Sequence, residues 1–131
     1  MDLVEKVFRT NVIGPFVLCQ KALPFLEQSS QPKIVQITGQ MGSIADNSSG
    51  GSYAYRISKA ALNMFNKSLS VDYPKIASIV VHPGWVKTVM GGPNSTMSIE
   101  MSVKGILKVI DDLTLAQSGK FLNSRGAELP W

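Results

Sequence analysis

Two short β-branched runs on either side of one long helical segment limit the fold more than any other feature of this chain. Residues 33–38 (KIVQIT) and 76–81 (IASIVV) have the composition of buried parallel strands, and each follows a break that contains proline. Residues 53–73 have helical periodicity and stop at Pro74. A strand, a crossover helix and a second strand therefore predict parallel pairing in an α/β layer.

Three further segments continue the alternation of helix and strand. Residues 2–27 read as a long helix with two prolines, residues 98–112 as a helix that begins at a capping serine, and residues 119–123 as a short strand. This order predicts a partial doubly wound, Rossmann-like parallel sheet with three strands and three main helices. We expect residues 1–131 to form a single partial domain of this α/β class.

Charge and composition argue against several functional classes. The formal net charge is +4, but the basic residues are scattered from Lys6 to Arg125 without a run or interleaved aromatics, so we expect no nucleic-acid partner. The single cysteine, Cys19, excludes an intrachain disulfide and fits a reducing compartment. The first residues are acidic, and no apolar run approaches membrane-spanning length. We expect a cytoplasmic protein with no membrane contact, and no bound metal.

Tyr55 and Lys59 carry the clearest chemical signal. They are four residues apart in a predicted helix, so they share one face. A tyrosine ordinarily loses its proton near pH 10, and a fixed positive charge beside it favours the phenolate. The pair therefore suits proton transfer to or from an alcohol or carbonyl oxygen. An ordinary surface tyrosine and lysine would give the same short pattern, so the surrounding residues decide between the two readings.

Those surrounding residues resemble the short-chain dehydrogenase/reductase family, in particular its C-factor and sniffer-type carbonyl reductases. The match runs along the whole chain, with the family's motifs in their usual order. The matching segments are 11–16 (NVIGPF), 41–44 (MGSI), 46–51 (DNSSGG), 55–63 (YRISKAALN) and 83–88 (PGWVKT).

The resemblance implies specific roles for residues of this chain. Tyr55 would be the catalytic acid-base, and Lys59 would lower the pKa of Tyr55 and hold the nicotinamide ribose. Asn11 would position a proton-relay water. Pro15 adds a physical reason for that role, because it has no N–H to bond the Asn11 carbonyl four residues earlier. His82 is expected to be structural, since the family mechanism assigns it no role.

The same resemblance implies NADP or NAD as cofactor and a small-molecule carbonyl or alcohol as substrate. A dimer through the first and second helices is the corresponding expectation for a protein partner. The residues expected to bind the cofactor are Tyr55, Lys59, Pro83, Gly84, Trp85, Val86 and Thr88.

Two departures from the family pattern affect the expected activity. Gly39 stands where the family carries its catalytic serine, and Thr38 or Ser43 would be the substitute hydroxyl. The glycine-rich phosphate loop, G-x-x-x-G-x-G, occurs nowhere in the chain. We therefore expect the amino-terminal half of the fold to be missing before Met1, through an alternative start site, a short splice form or an incomplete gene model.

Two functions follow from these observations. The first is NAD(P)-dependent hydride transfer of the carbonyl reductase or alcohol dehydrogenase type, with Tyr55 and Lys59 at its centre. The second is a catalytically inactive, truncated chain that acts, if at all, as the association partner of a full-length reductase. The motifs favour the first, whereas Gly39 and the absent phosphate loop favour the second.

Overall fold

Three parallel strands form one open sheet in the structure, a computed structural model that describes residues 2–131. The strands are β1 (Lys33–Ile37), β2 (Ala77–His82) and β3 (Phe121–Asn123), and their order in the sheet is β1-β2-β3. Lys33 pairs with Ala77 at the start of the first ladder, and His82 pairs with Asn123 at the end of the second. The carboxyl ends of all three strands therefore meet at one edge of the sheet.

The first helical segment is continuous but changes its winding in the middle. It consists of α1 (Asp2–Phe8), a π-helical turn (Arg9–Ile13) and α2 (Gly14–Leu26). The Gly14 N–H bonds the Arg9 carbonyl, which is the wider spacing of a π turn. Pro15 follows directly and has no N–H to continue the ordinary ladder, which accounts for the change of winding at this point.

The other two helices agree with their predicted positions. They are α3 (Tyr53–Asp72) and α4 (Ile99–Asp112), and the Ser98 side chain caps α4 by accepting from the Met101 N–H at 3.2 Å. Ser52 occupies the position before α3 with φ +48°, but its hydroxyl makes no capping bond.

Helices cover both faces of the sheet. On one face, α4 packs against apolar side chains that alternate along β2 and β3; this cluster consists of Ala77, Ile79, Val81, Val109, Leu113 and Leu122. On the other face, α2 and α3 pack over a cluster made of Cys19, Ile34, Leu69 and Ile76. Layers on both faces of a parallel sheet confirm the predicted partial doubly wound fold.

The observed strands begin or end one or two residues away from the predicted bounds, a difference that is common at the ends of secondary-structure elements. β1 lies at one edge of the sheet, and among the described strands it pairs only with β2.

No helix among residues 2–131 combines the length and the apolar character needed to cross a membrane.

Candidate active site

A cleft of about 870 Å³ opens at the carboxyl ends of β1 and β2, the edge at which open α/β sheets bind ligands. Tyr55, His82 and the loop at 83–88 contribute to its lining. Most of the surface that lines the cleft is apolar. The apolar side chains there include Met41, Trp85, Met90, Ile99, Val103 and Ile106. Such a cleft suits a small molecule with an apolar body and one polar group.

Tyr55 reaches this cleft from the first turn of α3. Its side chain lies against the backbone of Gly39, because a Cβ atom added to Gly39 would be 2.8 Å from the Tyr55 Oη atom. The phenol is half-buried, and burial raises the pKa of Tyr55 because the charged phenolate is poorly solvated there. Its hydroxyl has no hydrogen-bond partner among residues 2–131. The hydroxyl is therefore protonated at neutral pH and free to bond a ligand.

Lys59 lies beside Tyr55, one turn further along α3. Its Nζ atom donates to the Ile37 carbonyl at 3.1 Å and is 5.6 Å from the centroid of the Tyr55 ring. Burial lowers the pKa of Lys59. Burial is the cause of the raised pKa of Tyr55 in this chain, and the lowering expected from Lys59 stays a prediction.

Asn11 is joined to α3 by two consecutive hydrogen bonds. From the π turn, its side-chain amide donates to the Ser58 hydroxyl at 3.0 Å, and that hydroxyl donates to the Tyr55 carbonyl at 2.8 Å. Neither Asn11 nor Lys59 contributes to the lining of the cleft. The structure thus brings Asn11, Lys59 and Tyr55 together, with Tyr55 as the member that faces the cleft, while the relay role of Asn11 stays a prediction.

The two hydroxyls expected to replace the missing serine each make a local hydrogen bond. Thr38 is buried, and its hydroxyl donates to the Asn63 side-chain oxygen at 2.6 Å. Ser43 is also buried, and its hydroxyl accepts from the Asp46 N–H at 3.1 Å in the loop. The Thr38 proton is thus engaged with Asn63, whereas the Ser43 hydroxyl acts as an acceptor in its loop, and a catalytic role for either hydroxyl stays a prediction.

Gly39 has an ordinary extended backbone, with φ −147° and ψ 149°. This backbone conformation does not require glycine, so the neighbouring atoms must explain why a residue without a side chain occupies position 39. The Tyr55 hydroxyl occupies the space that a side chain at position 39 would enter.

The loop after β2 forms the floor of the cleft through residues expected to bind the cofactor. Gly84 has φ +94°, a conformation that favours glycine, and the Pro83 carbonyl accepts from the Ser102 hydroxyl at 2.7 Å. Trp85 and Val86 lie on the cleft, where the Trp85 indole N–H donates to the Gly91 carbonyl at 2.7 Å.

Thr88 also lies on the cleft, but its hydroxyl already accepts from the Gly91 N–H at 3.0 Å. All five expected loop residues thus lie at one site, and the turn that holds them is fixed by its own hydrogen bonds. Their contact with a cofactor stays a prediction.

His82 also lies at the candidate site, although the sequence predicts only a structural role for it. It ends β2 and lines the cleft, and its Nδ1 atom accepts from the Gln40 N–H at 3.1 Å. Burial lowers the pKa of His82, so the ring is neutral near pH 7. A signal was present in the sequence, because a polar residue at the carboxyl end of a buried strand lies at the ligand-binding edge.

Metal chemistry has no evident donor set within this part of the chain. Among residues 2–131, no group of three or more histidine, cysteine, aspartate or glutamate side chains is placed to hold a metal ion. The polar side chains at the cleft carry a phenol, an imidazole, an amide, an indole and hydroxyls.

Comparison with known proteins identifies the family. The short chain dehydrogenase family matches residues 1–98. The C-signal of Myxococcus xanthus is 44% identical over 130 residues, an alignment that covers 98% of this chain and 78% of that protein.

Solved structures extend the similarity to three dimensions. The carbonyl reductase Sniffer of D. melanogaster superposes with a TM-score of 0.94 and 38% identity, over 100% of this chain and 58% of that one. An NADPH-bound carbonyl reductase from chicken fatty liver superposes with a TM-score of 0.92 and 37% identity, again over 100% and 58%. This chain therefore spans less than two thirds of either solved reductase. The family match and these similarities agree with the resemblance seen in the sequence, and the chain belongs to the short-chain dehydrogenase family.

Proposed function

We propose that this chain carries the proton-transfer and substrate-binding half of an NAD(P)-dependent carbonyl reductase. The observation that carries this proposal is the Tyr55 hydroxyl, which faces an apolar cleft without a protein partner while Lys59 lies 5.6 Å from its ring. A protonated phenol in an apolar cleft is suited to donate a proton to a bound oxygen. The names of the solved relatives, two carbonyl reductases, point to the same chemistry.

The residues present fit the nicotinamide end of an NAD(P) cofactor. The cleft lies at the carboxyl edge of the sheet, and the turn at 83–88 brings backbone groups to it. Gly84 allows a close approach to that backbone, and Lys59 offers an ammonium group behind Tyr55. When bound, the cofactor would supply or accept the hydride. The chain has no glycine-rich loop for the diphosphate, so those contacts would come from another segment.

Within the chain, Tyr55 would move the proton at the substrate oxygen. Carbonyl reduction places negative charge on that oxygen, and the Tyr55 O–H would bond it and then transfer its proton. Lys59 would steady the phenolate that remains, because a nearby cation favours the charged form. Asn11, linked to α3 through Ser58, would hold the relay by which Tyr55 regains a proton.

Burial keeps the Tyr55 phenol protonated, which is the form that a reduction needs at its start. Because the pKa of Tyr55 is raised, the phenol holds its proton at neutral pH and is ready to donate it. Alcohol oxidation needs the phenolate at the start, and that form is scarce at pH 7. The substrate would be a carbonyl compound with an apolar body, which fits the Met, Ile, Val and Trp side chains of the lining.

A fusion protein tests this proposal. Residues 1–131 would follow the amino-terminal segment of the D. melanogaster reductase Sniffer, which superposes on this chain with a TM-score of 0.94. We expect this Sniffer fusion to oxidise NADPH when an aromatic ketone such as acetophenone is added. A fusion that folds and binds NADPH, yet leaves ketones unchanged, would contradict the proposal.

A second candidate function is association with another subunit. It is favoured by the unpaired edge of β1 and by apolar side chains that stay exposed on the first helical segment, including Leu3, Leu18 and Phe25 at 67%, 69% and 76% exposure. An unpaired strand edge beside exposed apolar surface is a site of pairing with another chain. We propose that the partner would be a reductase subunit that contacts the first and second helices. Co-purification of the chain with the Sniffer reductase, lost on Leu18→Lys, would support this function.

A further inference from the structure

A second hydrogen-bond donor at the substrate oxygen would speed the reaction proposed above. Negative charge develops on that oxygen as the hydride arrives, and fixed donors aimed at it commonly supply a large part of rate enhancement. Tyr55 supplies one donor. Position 39 cannot supply another through a side chain, because it is glycine.

Most other polar side chains at the cleft are already committed. The Thr38 hydroxyl donates to Asn63, the Ser102 hydroxyl to the Pro83 carbonyl and the Trp85 indole N–H to the Gly91 carbonyl. The Gln40 amide donates to Asp46 at 3.1 Å. Besides Tyr55, two side-chain donors at the cleft make no such bond to any of residues 2–131: the ring of His82 and the hydroxyl of Ser52.

His82 is the better placed of these two donors. Its Nδ1 atom accepts from the Gln40 N–H, so the ring proton of the neutral imidazole is carried by Nε2. Nε2 is accessible and has no protein partner in the described chain. The ring is therefore held in one tautomer with its donor free, whereas Ser52 is exposed and rotates on a single bond.

The backbone brings His82 close to Tyr55. The Gln40 N–H that bonds His82 belongs to the peptide unit that follows Gly39, and the position of the missing Gly39 Cβ atom is 2.8 Å from the Tyr55 Oη atom. The imidazole and the phenol are thus both held against one peptide unit. Thr38 and His82 also lie side by side at the ends of β1 and β2, because the Thr38 N–H bonds the carbonyl of Val81, the residue before His82.

We propose that His82 Nε2–H donates a hydrogen bond to the carbonyl oxygen of the substrate, as the second donor beside Tyr55. This inference rests on the proposed reductase function and replaces the purely structural role expected from the sequence. The lowered pKa of His82 agrees with it, because the ring stays a neutral donor across the physiological range. His82 would thereby take over the task of a side chain that Gly39 lacks.

Substitution in the Sniffer fusion tests the proposal. His82→Leu removes the donor, and we expect kcat/KM for acetophenone to fall on the order of 10²-fold, as for loss of an oxyanion donor elsewhere. His82→Gln keeps an N–H donor and should retain more activity than His82→Leu. NADPH affinity should stay within about twofold in both variants, because His82 bonds substrate and not cofactor.

The outcomes separate this proposal from the reductase function itself. If Ser52→Ala causes the large loss while His82→Leu does not, Ser52 is the donor and the proposal is overturned. If His82→Leu retains full turnover while Tyr55→Phe is inactive, the reductase function stands and the role of His82 is wrong. A parent fusion that folds and binds NADPH but is inactive would refute the reductase function and, with it, the role of His82.

A measurement without turnover checks the tautomer, and it covers the case in which His82→Leu does not fold. His82 is the single histidine of the 131-residue chain, so its ring nitrogens are assigned without ambiguity by ¹⁵N NMR of that chain. We expect the Nε2–H form at pH 7 and a change in the Nε2 shift when acetophenone is added. A dominant Nδ1–H form, or an Nε2 shift that acetophenone does not change, would overturn the proposal.

Discussion

Replacing Gly39 by alanine and by serine separates two effects that overlap at this position. Either substitution places a Cβ atom 2.8 Å from the Tyr55 Oη atom, whereas ordinary contacts begin at 3.4 Å. The Tyr55 hydroxyl would therefore retreat by about 0.6 Å. A misplacement of 1 Å in an active site costs on the order of 10²-fold in rate, so we expect Gly39→Ala to lower kcat roughly tenfold.

Serine adds a hydroxyl to the same steric change. An oxyanion donor is worth roughly 10²–10³-fold in kcat, so Gly39→Ser should be at least about tenfold faster than Gly39→Ala and should equal or exceed the parent. The backbone at Gly39 is extended, so neither substitution is expected to strain it. The assay is ketone-dependent NADPH oxidation by the Sniffer fusion, with thermal unfolding as the control for folding. A serine variant no faster than the alanine variant would show that a hydroxyl at position 39 cannot serve the reacting oxygen.

Three further predictions concern cofactor, association and Lys59. The 131-residue chain alone should bind NADPH very weakly in calorimetric titration, because only nicotinamide-side contacts are present, and a micromolar Kd would contradict this. The same chain should associate in sedimentation experiments through the unpaired β1 edge, so a stable monomer at tens of micromolar, about the range in which such edges aggregate, would count against it. Lys59→Met should lower turnover in the Sniffer fusion, weaken NADPH binding and shift the pH optimum upward, because loss of the cation raises the pKa of Tyr55 further; an unchanged pH profile would remove Lys59 from the mechanism.

The fold was largely predictable because its signals are local. The β-branched runs gave β1 and β2, the periodic segments gave α3 and α4, and the parallel pairing followed from the crossover connections. The π turn at Arg9–Ile13 was harder to predict from the sequence. Pro15 predicts a disturbance in the helix, but not which form of winding absorbs it.

The sequence predicted which residues lie together at the candidate site, but not which hydrogen bonds those residues make. Tyr55, Lys59 and the loop at 83–88 do lie together, because sequence spacing fixes their places on the sheet edge and on α3. The hydrogen bonds of Thr38 and Ser43 could not be predicted, because the partners of a buried hydroxyl depend on tertiary contacts, here with Asn63 and Asp46. The effect of burial on the pKa of Tyr55 is likewise a property of the packed cleft and cannot be read from a four-residue spacing.

The role of Tyr55 as proton donor is the central claim, and a matched pair of tyrosine variants tests it most directly. Tyr55→Phe removes only the hydroxyl, so it should abolish ketone-dependent NADPH oxidation in the Sniffer fusion while leaving thermal stability and NADPH affinity nearly unchanged. Tyr53→Phe makes the same chemical change two residues earlier, on a side chain that is 75% exposed and outside the cleft, and should retain parental turnover. If Tyr55→Phe reduces acetophenone as fast as Tyr53→Phe does, Tyr55 is not the proton donor and the proposed mechanism is wrong.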